Sequence, residues 1–153
     1  MSQTPMILIA EDDDGHAALI ERNLKRSGVG HTYTRLRDGQ EALDFLFQKG
    51  EGAVRIKNRP YILLLDINLP KISGLEVLRQ VKSHAELRKI PVTVLSTTDD
   101  PQEVAQCHVL GCSYYITKPT EPEVFMNVIT RLGQFLTIVH VPHIQGNMMS
   151  PVS

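Results

Sequence analysis

The chain has 153 residues, 16 of them basic and 17 acidic, for a net charge of −1, and 42% of its residues are hydrophobic. That is enough apolar material for one core and too little length for two independent domains. The near-neutral balance argues against binding nucleic acid or an anionic membrane through bulk charge, and no apolar run approaches a membrane span.

MSQTP at the start lacks the basic-then-apolar pattern of a secretion signal. MILIA, at 6–10, is a short continuous apolar run and reads as a strand buried on both faces. Four acidic residues, Glu11 to Asp14, follow at once, with Asp14 as the expected helix cap. Ala17, Ile20 and Leu24 then fall on one helix face, Lys25 and Arg26 suit its last turn, and Gly28 suits its end. A threonine-containing strand is expected over His31–Leu36. Asp38-Gly39 marks a turn into a helix carrying Ala42, Leu43, Leu46 and Phe47 on its apolar face. The stretch from Gly50 to Pro60 is a polar loop, tinted basic by Arg55, Lys57 and Arg59.

Tyr61–Leu65 is a second buried run, and it ends in Asp66. Pro70 and Gly74 bracket the next loop, and Leu75, Leu78 and Val81 line the helix after it. Pro91 opens VTVL. Thr98, Asp99 and Asp100 are alternative caps for a helix with Pro101 at its first position and Gly111 at its end. Cys107 and Cys112 are too few for a disulfide framework and read as thiols of a reducing compartment, so a cytoplasmic protein is expected. Ser113–Thr117 is a last strand, ending at Lys118-Pro119. Phe125, Val128, Ile129, Leu132 and Leu136 make a helical stripe, TIVHV at 137–141 reads as a β-rich extension, and 142–153 as a flexible tail. His108, His140 and His143 read as ordinary histidines, without the spacing of metal ligands.

Strand and helix alternate five times, the pattern of a parallel sheet covered on both faces. In such a sheet, sites form beyond the carboxyl ends of the strands. There this chain places Glu11, Asp12 and Asp13 after the first strand, Asp66 after the third, Ser96 and Thr97 after the fourth and Lys118 after the fifth. Taken singly, a carboxylate after a strand is a helix cap. Taken together, these carboxylates repel one another and resist burial, a conflict that a hard cation with oxygen ligands resolves, with Mg²⁺ the natural candidate. Lys118 offsets the remaining charge, the Ser96 hydroxyl donates to an anionic oxygen, and an aspartate such as Asp66 is a competent nucleophile for an acyl phosphate.

In these residues the chain resembles the receiver domains of two-component response regulators, from Met6 to Leu136. The resemblance implies a flavodoxin-like (βα)5 fold with sheet order 2-1-3-4-5. It implies Asp66, in LLLDINLP, as phosphoacceptor, and Mg²⁺ held by Glu11, Asp12, Asp66 and the backbone carbonyl of Asn68. Ser96, where threonine is commoner, and Tyr115 become the switch residues, with Thr97 beside them. Lys118 contacts the phosphoryl group, with a cis peptide to Pro119, and Asn68 and Thr98 tune the phosphate lifetime. The loop at Gly50–Arg59 and the segment ITRLGQFLTIVHVP are similar to the small single-domain regulators that partner cyanobacterial phytochromes.

The function so implied is acceptance of a phosphoryl group from a sensor histidine kinase, phytochrome-type by the subfamily likeness, with slow autodephosphorylation rather than turnover. A single domain over 1–141 is expected. The segment beyond Leu136 is too short for a DNA-binding domain, so output is expected to pass to a partner or a homodimer. The stripe Phe125, Ile129, Leu132 and Leu136, with Val139 in the extension 133–141, is the expected dimer surface beside the fourth and fifth helices. Among other classes, four acidic residues after the first strand exclude a flavodoxin phosphate loop. A haloacid-type phosphatase would carry its nucleophile after the first strand rather than the third. A receiver fold that binds a partner without phosphorylation is the remaining alternative, against which Asp66 and Lys118 argue.

Overall fold

With no polar side chain, MILIA forms β1 (Met6–Ala10) at the interior of a parallel sheet. The structure, a computed structural model, describes residues 4–27, 32–50 and 59–145. After β1 come α1 (Asp14–Arg26), β2 (Thr32–Leu36), α2 (Gly39–Phe47), β3 (Arg59–Asp66), α3 (Gly74–Lys82) and a single 3-10 turn at Leu87–Lys89. The chain continues through β4 (Val92–Ser96), α4 (Pro101–Leu110), β5 (Tyr114–Thr117), α5 (Pro122–Leu136) and a short β6 (His143–Ile144). The parallel strands run in the order β2-β1-β3-β4-β5, the flavodoxin-like order.

Side chains alternate across the sheet, so each inner strand feeds two cores. Leu8 and Ala10, Leu63 and Leu65, and Val92 and Val94 pack with residues of α2, α3 and α4. Ile7 and Ile9, Ile62 and Leu64, and Leu95 pack with Ile20 and Leu24 of α1 and with Phe125, Ile129, Leu132 and Leu136 of α5. In register, Ile7 lies beside Ile62 and Ile9 beside Leu64. Fully burying one such side chain stabilises the fold by about 1.5–3 kcal/mol.

Several expectations are corrected. Asp13, not Asp14, caps α1: its carboxylate accepts from the His16 N–H at 2.9 Å, while Asp14 is the first helical residue. Of the three candidates before α4, Asp100 is the cap. Phe125, Ile129, Leu132 and Leu136 are buried in the chain's own core, because this is the face α5 lays on the sheet. They are therefore not available as a dimer surface. Val139 is half-buried against the same core. TIVHV forms no strand, since Thr137 caps α5. The strand falls later, inside the expected tail: His143–Ile144 pairs antiparallel with Arg59–Pro60, and Ile144 is buried. The Lys118–Pro119 peptide is trans, the intrinsically preferred form, as are the other described peptide bonds. The expected helix end at Gly28, the basic loop residues Arg55 and Lys57, and residues 146–153 lie outside the described residues.

The loop after β3 is locked by close backbone approach. The Gly74 N–H donates to the Ile67 carbonyl at 2.8 Å. A Cβ at Gly74 would lie 2.2 Å from the Asp66 carbonyl oxygen and 2.6 Å from the Ile67 Cα, both backbone atoms that cannot swing aside. Gly74→Ala is therefore expected to cost about 3 kcal/mol, the upper end for overpacking. Urea denaturation checks this, and an unchanged midpoint would refute the close approach.

Candidate functional site

The C-terminal ends of β1, β3, β4 and β5 converge, as the fold class requires. Glu11, just past β1, is buried, with its backbone N–H donating to the Leu36 carbonyl of β2 at 3.0 Å. Asp12 beside it is exposed. Asp66 is the last residue of β3 and only 7% exposed. Glu11, Asp12 and Asp66 each offer a carboxylate oxygen, and these oxygens all lie within 4.8 Å of one another. Asp66 Oδ1 also accepts from the Asn68 N–H at 3.1 Å, which fixes the carboxylate at the turn.

Lys118, past β5, is 4% exposed, and its ammonium enters this cluster. Nζ donates to Glu11 Oε1 at 2.5 Å and to Asp66 Oδ2 at 2.9 Å. Its third neighbour is His16 Nδ1 at 3.2 Å, so an ammonium with three N–H groups meets three acceptors. The His16 ring stands edge-on to Phe125, with centroids 5.6 Å apart, which ties it to the core of α5. Burial, reinforced by the nearby Asp66 charge, pushes the Glu11 carboxyl up to about 7 against the opposing pull of Lys118. Burial alone would lower Lys118, but its bonds and charge contacts with Glu11 and Asp66 outweigh that and hold it above the ordinary lysine range.

Two positioning residues were not found by sequence reasoning. His16 looks in sequence like a first-turn helix residue with no partner. Arg35, in the threonine-containing β2, reaches over the acidic loop: Nε donates to the Glu11 carbonyl at 3.0 Å and a terminal nitrogen to the Asp12 carbonyl at 3.1 Å. Its other terminal nitrogen meets Asp14 Oδ1 at 2.7 Å, and Arg37 meets the same oxygen at 3.0 Å. These bonds hold the Asp14 carboxyl below the usual carboxylate range. Asp14 thus anchors the loop from outside and does not join the cluster.

Ser96 is fully buried at the end of β4, and its hydroxyl bonds a carboxylate outside the Glu11–Asp12–Asp66 cluster. Oγ donates to Glu103 Oε2 in α4 at 3.1 Å and accepts from the Thr98 N–H at 3.3 Å. The Tyr115 hydroxyl bonds the same Glu103 oxygen and lies 2.7 Å from the Thr98 carbonyl. Burial and the Glu103 bond raise the Tyr115 phenol above its ordinary value. Thr97 is exposed, and Thr98 is half-buried, its hydroxyl accepting from the Asp100 N–H at 3.1 Å. The Lys118 N–H donates to the Ser96 carbonyl at 2.6 Å, joining the Ser96–Glu103–Tyr115 network to the acidic cluster.

The donor set suits a hard divalent cation: three carboxylate oxygens in one concavity, with Asp12 open to water. It suits no soft metal, because both cysteines are buried elsewhere, against the α2–α4 core. No helix among the described residues is long and apolar enough to cross a membrane.

Residues 7–130 match the response regulator receiver domain. The response regulator Rcp1 of Synechocystis sp. is 40% identical over 113 residues, covering 74% of this chain and 76% of that one. A crystal structure of a response regulator receiver domain from Rhodospirillum rubrum superposes with a TM-score of 0.85 at 41% identity, over 92% of this chain and 99% of that one. The Mn²⁺-bound form of Rcp1 has a TM-score of 0.82 at 34% identity, over 90% and 99% of the two chains. The phosphorylated cyanobacterial phytochrome response regulator RcpA has a TM-score of 0.82 at 34% identity, over 92% and 99%.

Proposed function

The chain belongs to the response regulator receiver domain family, and from that premise we propose that it accepts a phosphoryl group on Asp66 from a sensor histidine kinase and signals through a protein-binding face. One observation carries the reading: a buried aspartate at a strand end, held by Lys118 at 2.9 Å inside a cluster of three carboxylates. In the transfer, an Asp66 carboxylate oxygen attacks phosphorus in line with the phosphohistidine P–N bond. The P–O bond forms, the P–N bond breaks, and its electron pair stays on the departing imidazole. Lys118 then follows the charge onto the phosphoryl oxygens, and Ser96 turns its hydroxyl to one of them.

Glu11, Asp12, Asp66 and the Asn68 carbonyl are the proposed ligands of Mg²⁺, which when bound neutralises charge on the transferring group. Support comes from the three clustered oxygens and from the Mn²⁺-bound form of Rcp1, 34% identical to this chain. Asn68 and Thr98, at the rim, are the proposed tuners of phosphate lifetime.

A phytochrome-type kinase is the proposed donor, supported by the likeness to RcpA, a cyanobacterial phytochrome response regulator. The proposed output face is that of α4, β5 and α5, where Val109, Tyr114, Val124 and Phe135 are exposed with Ile138 just beyond. A groove of about 630 Å³ opens there, lined by Tyr114, Tyr115, Arg131 and Phe135 among others. Self-association through this face gives the proposed homodimer, and the reading includes neither DNA binding nor a membrane. A cytoplasmic location and a single receiver domain complete it.

Incubation with acetyl phosphate followed by intact-mass spectrometry tests the chemistry. One added phosphoryl group is expected when Mg²⁺ is present, and none when EDTA is present throughout the incubation. No adduct in folded protein would leave a partner-binding scaffold that works without phosphorylation.

Glu11 sets the pH response. Its carboxyl, raised to about 7, carries a proton in the folded chain at pH values where the unfolded chain has released it. Cation-free protein therefore gains stability from this group as pH falls from about 7 toward the ordinary glutamate range. A bound cation needs Glu11 ionised, so Mg²⁺ affinity falls over the same window. Calorimetric Mg²⁺ titrations at pH 8 and pH 6 are expected to show weaker binding at pH 6, and equal affinities would contradict the assignment of Glu11.

A further inference from the structure

Glu103 lies in the first turn of α4, one position beyond the two that follow the Asp100 cap, and is half-buried. Nothing in its sequence context sets it apart from a glutamate complementing the helix N-terminus. Its side chain nevertheless does something a dipole partner need not do. A single oxygen, Oε2, takes the hydroxyl of Ser96 at 3.1 Å and the hydroxyl of Tyr115 as well. These are the two side chains that the receiver reading makes the switch, and they come from different strands, β4 and β5.

A serine hydroxyl has one proton to donate. In this structure the Ser96 proton goes to Glu103, while its lone pairs face the Thr98 N–H. A phosphoryl oxygen on Asp66 needs that same proton. Glu103 and the phosphoryl group are therefore competitors for one donor, and a carboxylate acceptor partly shielded from water is a strong competitor.

We propose that Glu103 is a positioning residue that latches the resting switch, holding the Ser96 hydroxyl away from Asp66 and tying it through one shared oxygen to Tyr115. The inference rests on the proposed receiver chemistry and adds a residue to it. Phosphorylation then has a defined local consequence. When Ser96 rotates to the phosphoryl oxygen, Glu103 loses one of its two hydroxyl partners and keeps only Tyr115. Coupling between β4 and β5 passes through a hydrogen bond that breaks, as well as through the space the serine vacates.

A ligand that needs the unlatched state binds more weakly by the fraction of molecules already unlatched. Removing the latch should therefore tighten binding of a phosphoryl mimic, and only when Ser96 is present to be released. The test is a titration calorimetry cycle with Mg²⁺ and beryllofluoride, which mimics a phosphoryl group on a carboxylate. It compares the wild-type chain, Glu103→Met, Ser96→Ala and the double variant.

Glu103→Met is expected to tighten beryllofluoride about tenfold in the Ser96 background and to change nothing in the Ser96→Ala background. Glu103→Gln keeps a neutral acceptor and is expected to fall between wild type and Glu103→Met, which also serves if the methionine variant folds poorly. Equal tightening in both backgrounds would mean that Glu103 merely repels an anion, and it overturns the latch. So does unchanged or weakened binding with Ser96 in place. A folded wild-type chain that binds no beryllofluoride at all overturns the receiver chemistry itself, an outcome distinct from these.

Discussion

Asp66→Asn is expected to remove the phosphoryl adduct completely. The amide is nearly isosteric with the carboxylate and can still accept from the Asn68 N–H through its oxygen, as Asp66 Oδ1 does at 3.1 Å. Its oxygen is not anionic, however, and cannot form a stable acyl phosphate, so the nucleophile is lost while the fold is kept. Electrostatics point the same way for stability. Asp66 is one of the charges that raise the Glu11 carboxyl, so neutralising it relieves repulsion within the cluster. Lys118 retains Glu11 at 2.5 Å. The variant should therefore denature no earlier than the wild type, and loss of the adduct cannot be assigned to unfolding. Intact mass after acetyl phosphate and Mg²⁺, beside a thermal melt, checks both halves. An adduct that persists at wild-type level in the variant would move the acceptor elsewhere, with Asp12 the first carboxylate to substitute next.

The sheet and its carboxyl-end cluster were legible because they rest on local signals. Short continuous apolar runs read as buried strands, and Glu11 and Asp66 each stand at the end of one, while Lys118 follows the more exposed edge strand β5. The sheet order then brings Glu11, Asp66 and Lys118 together without further information. Features set by tertiary contact escaped. Hydrophobic periodicity marks Phe125, Ile129, Leu132 and Leu136 as one face, but a stripe does not say whether it meets the chain's own sheet or another molecule. Here the sheet claims it, and the side chains left outside are Val124 and Phe135. His143 and Ile144 give too short a pattern to read as a strand. They pair because β3 begins two residues earlier than its apolar run, at Arg59–Pro60, leaving an edge for them. Arg35, His16 and Glu103 act at sequence separations from 7 to 102 residues, and a single helix or strand pattern carries no trace of such partners.

Lys118→Met is expected to make the fold depend on a divalent cation or on acid. In the wild type the ammonium is the cation that lies between Glu11 and Asp66, and all three side chains are buried. Breaking a buried pair by removing one partner typically costs 3–5 kcal/mol, because a charge is left uncompensated. Here two carboxylates are left, with Asp12 close by. The methionine fills most of the volume of the lysine stem, so the cost is electrostatic rather than a cavity. Two remedies are open to the cluster, and they give the prediction its signature. Mg²⁺ can take the place of the ammonium, so the loss of about 3 kcal/mol at pH 8 in EDTA should shrink when millimolar Mg²⁺ is added. Protons can do the same. With the lysine gone, one of the forces that lowers the Glu11 carboxyl is removed, so it rises further above its unfolded value. The folded variant then binds more protons than the unfolded chain, and its stability increases as pH falls from 8 toward 5. Urea denaturation at both pH values, with and without Mg²⁺, reads all of this in one set of curves. A variant that is equally destabilised under all four conditions would show that Lys118 serves the fold through packing alone. The carboxylates would then be no cation site, and the case for phosphoryl chemistry at Asp66 would lose its electrostatic basis.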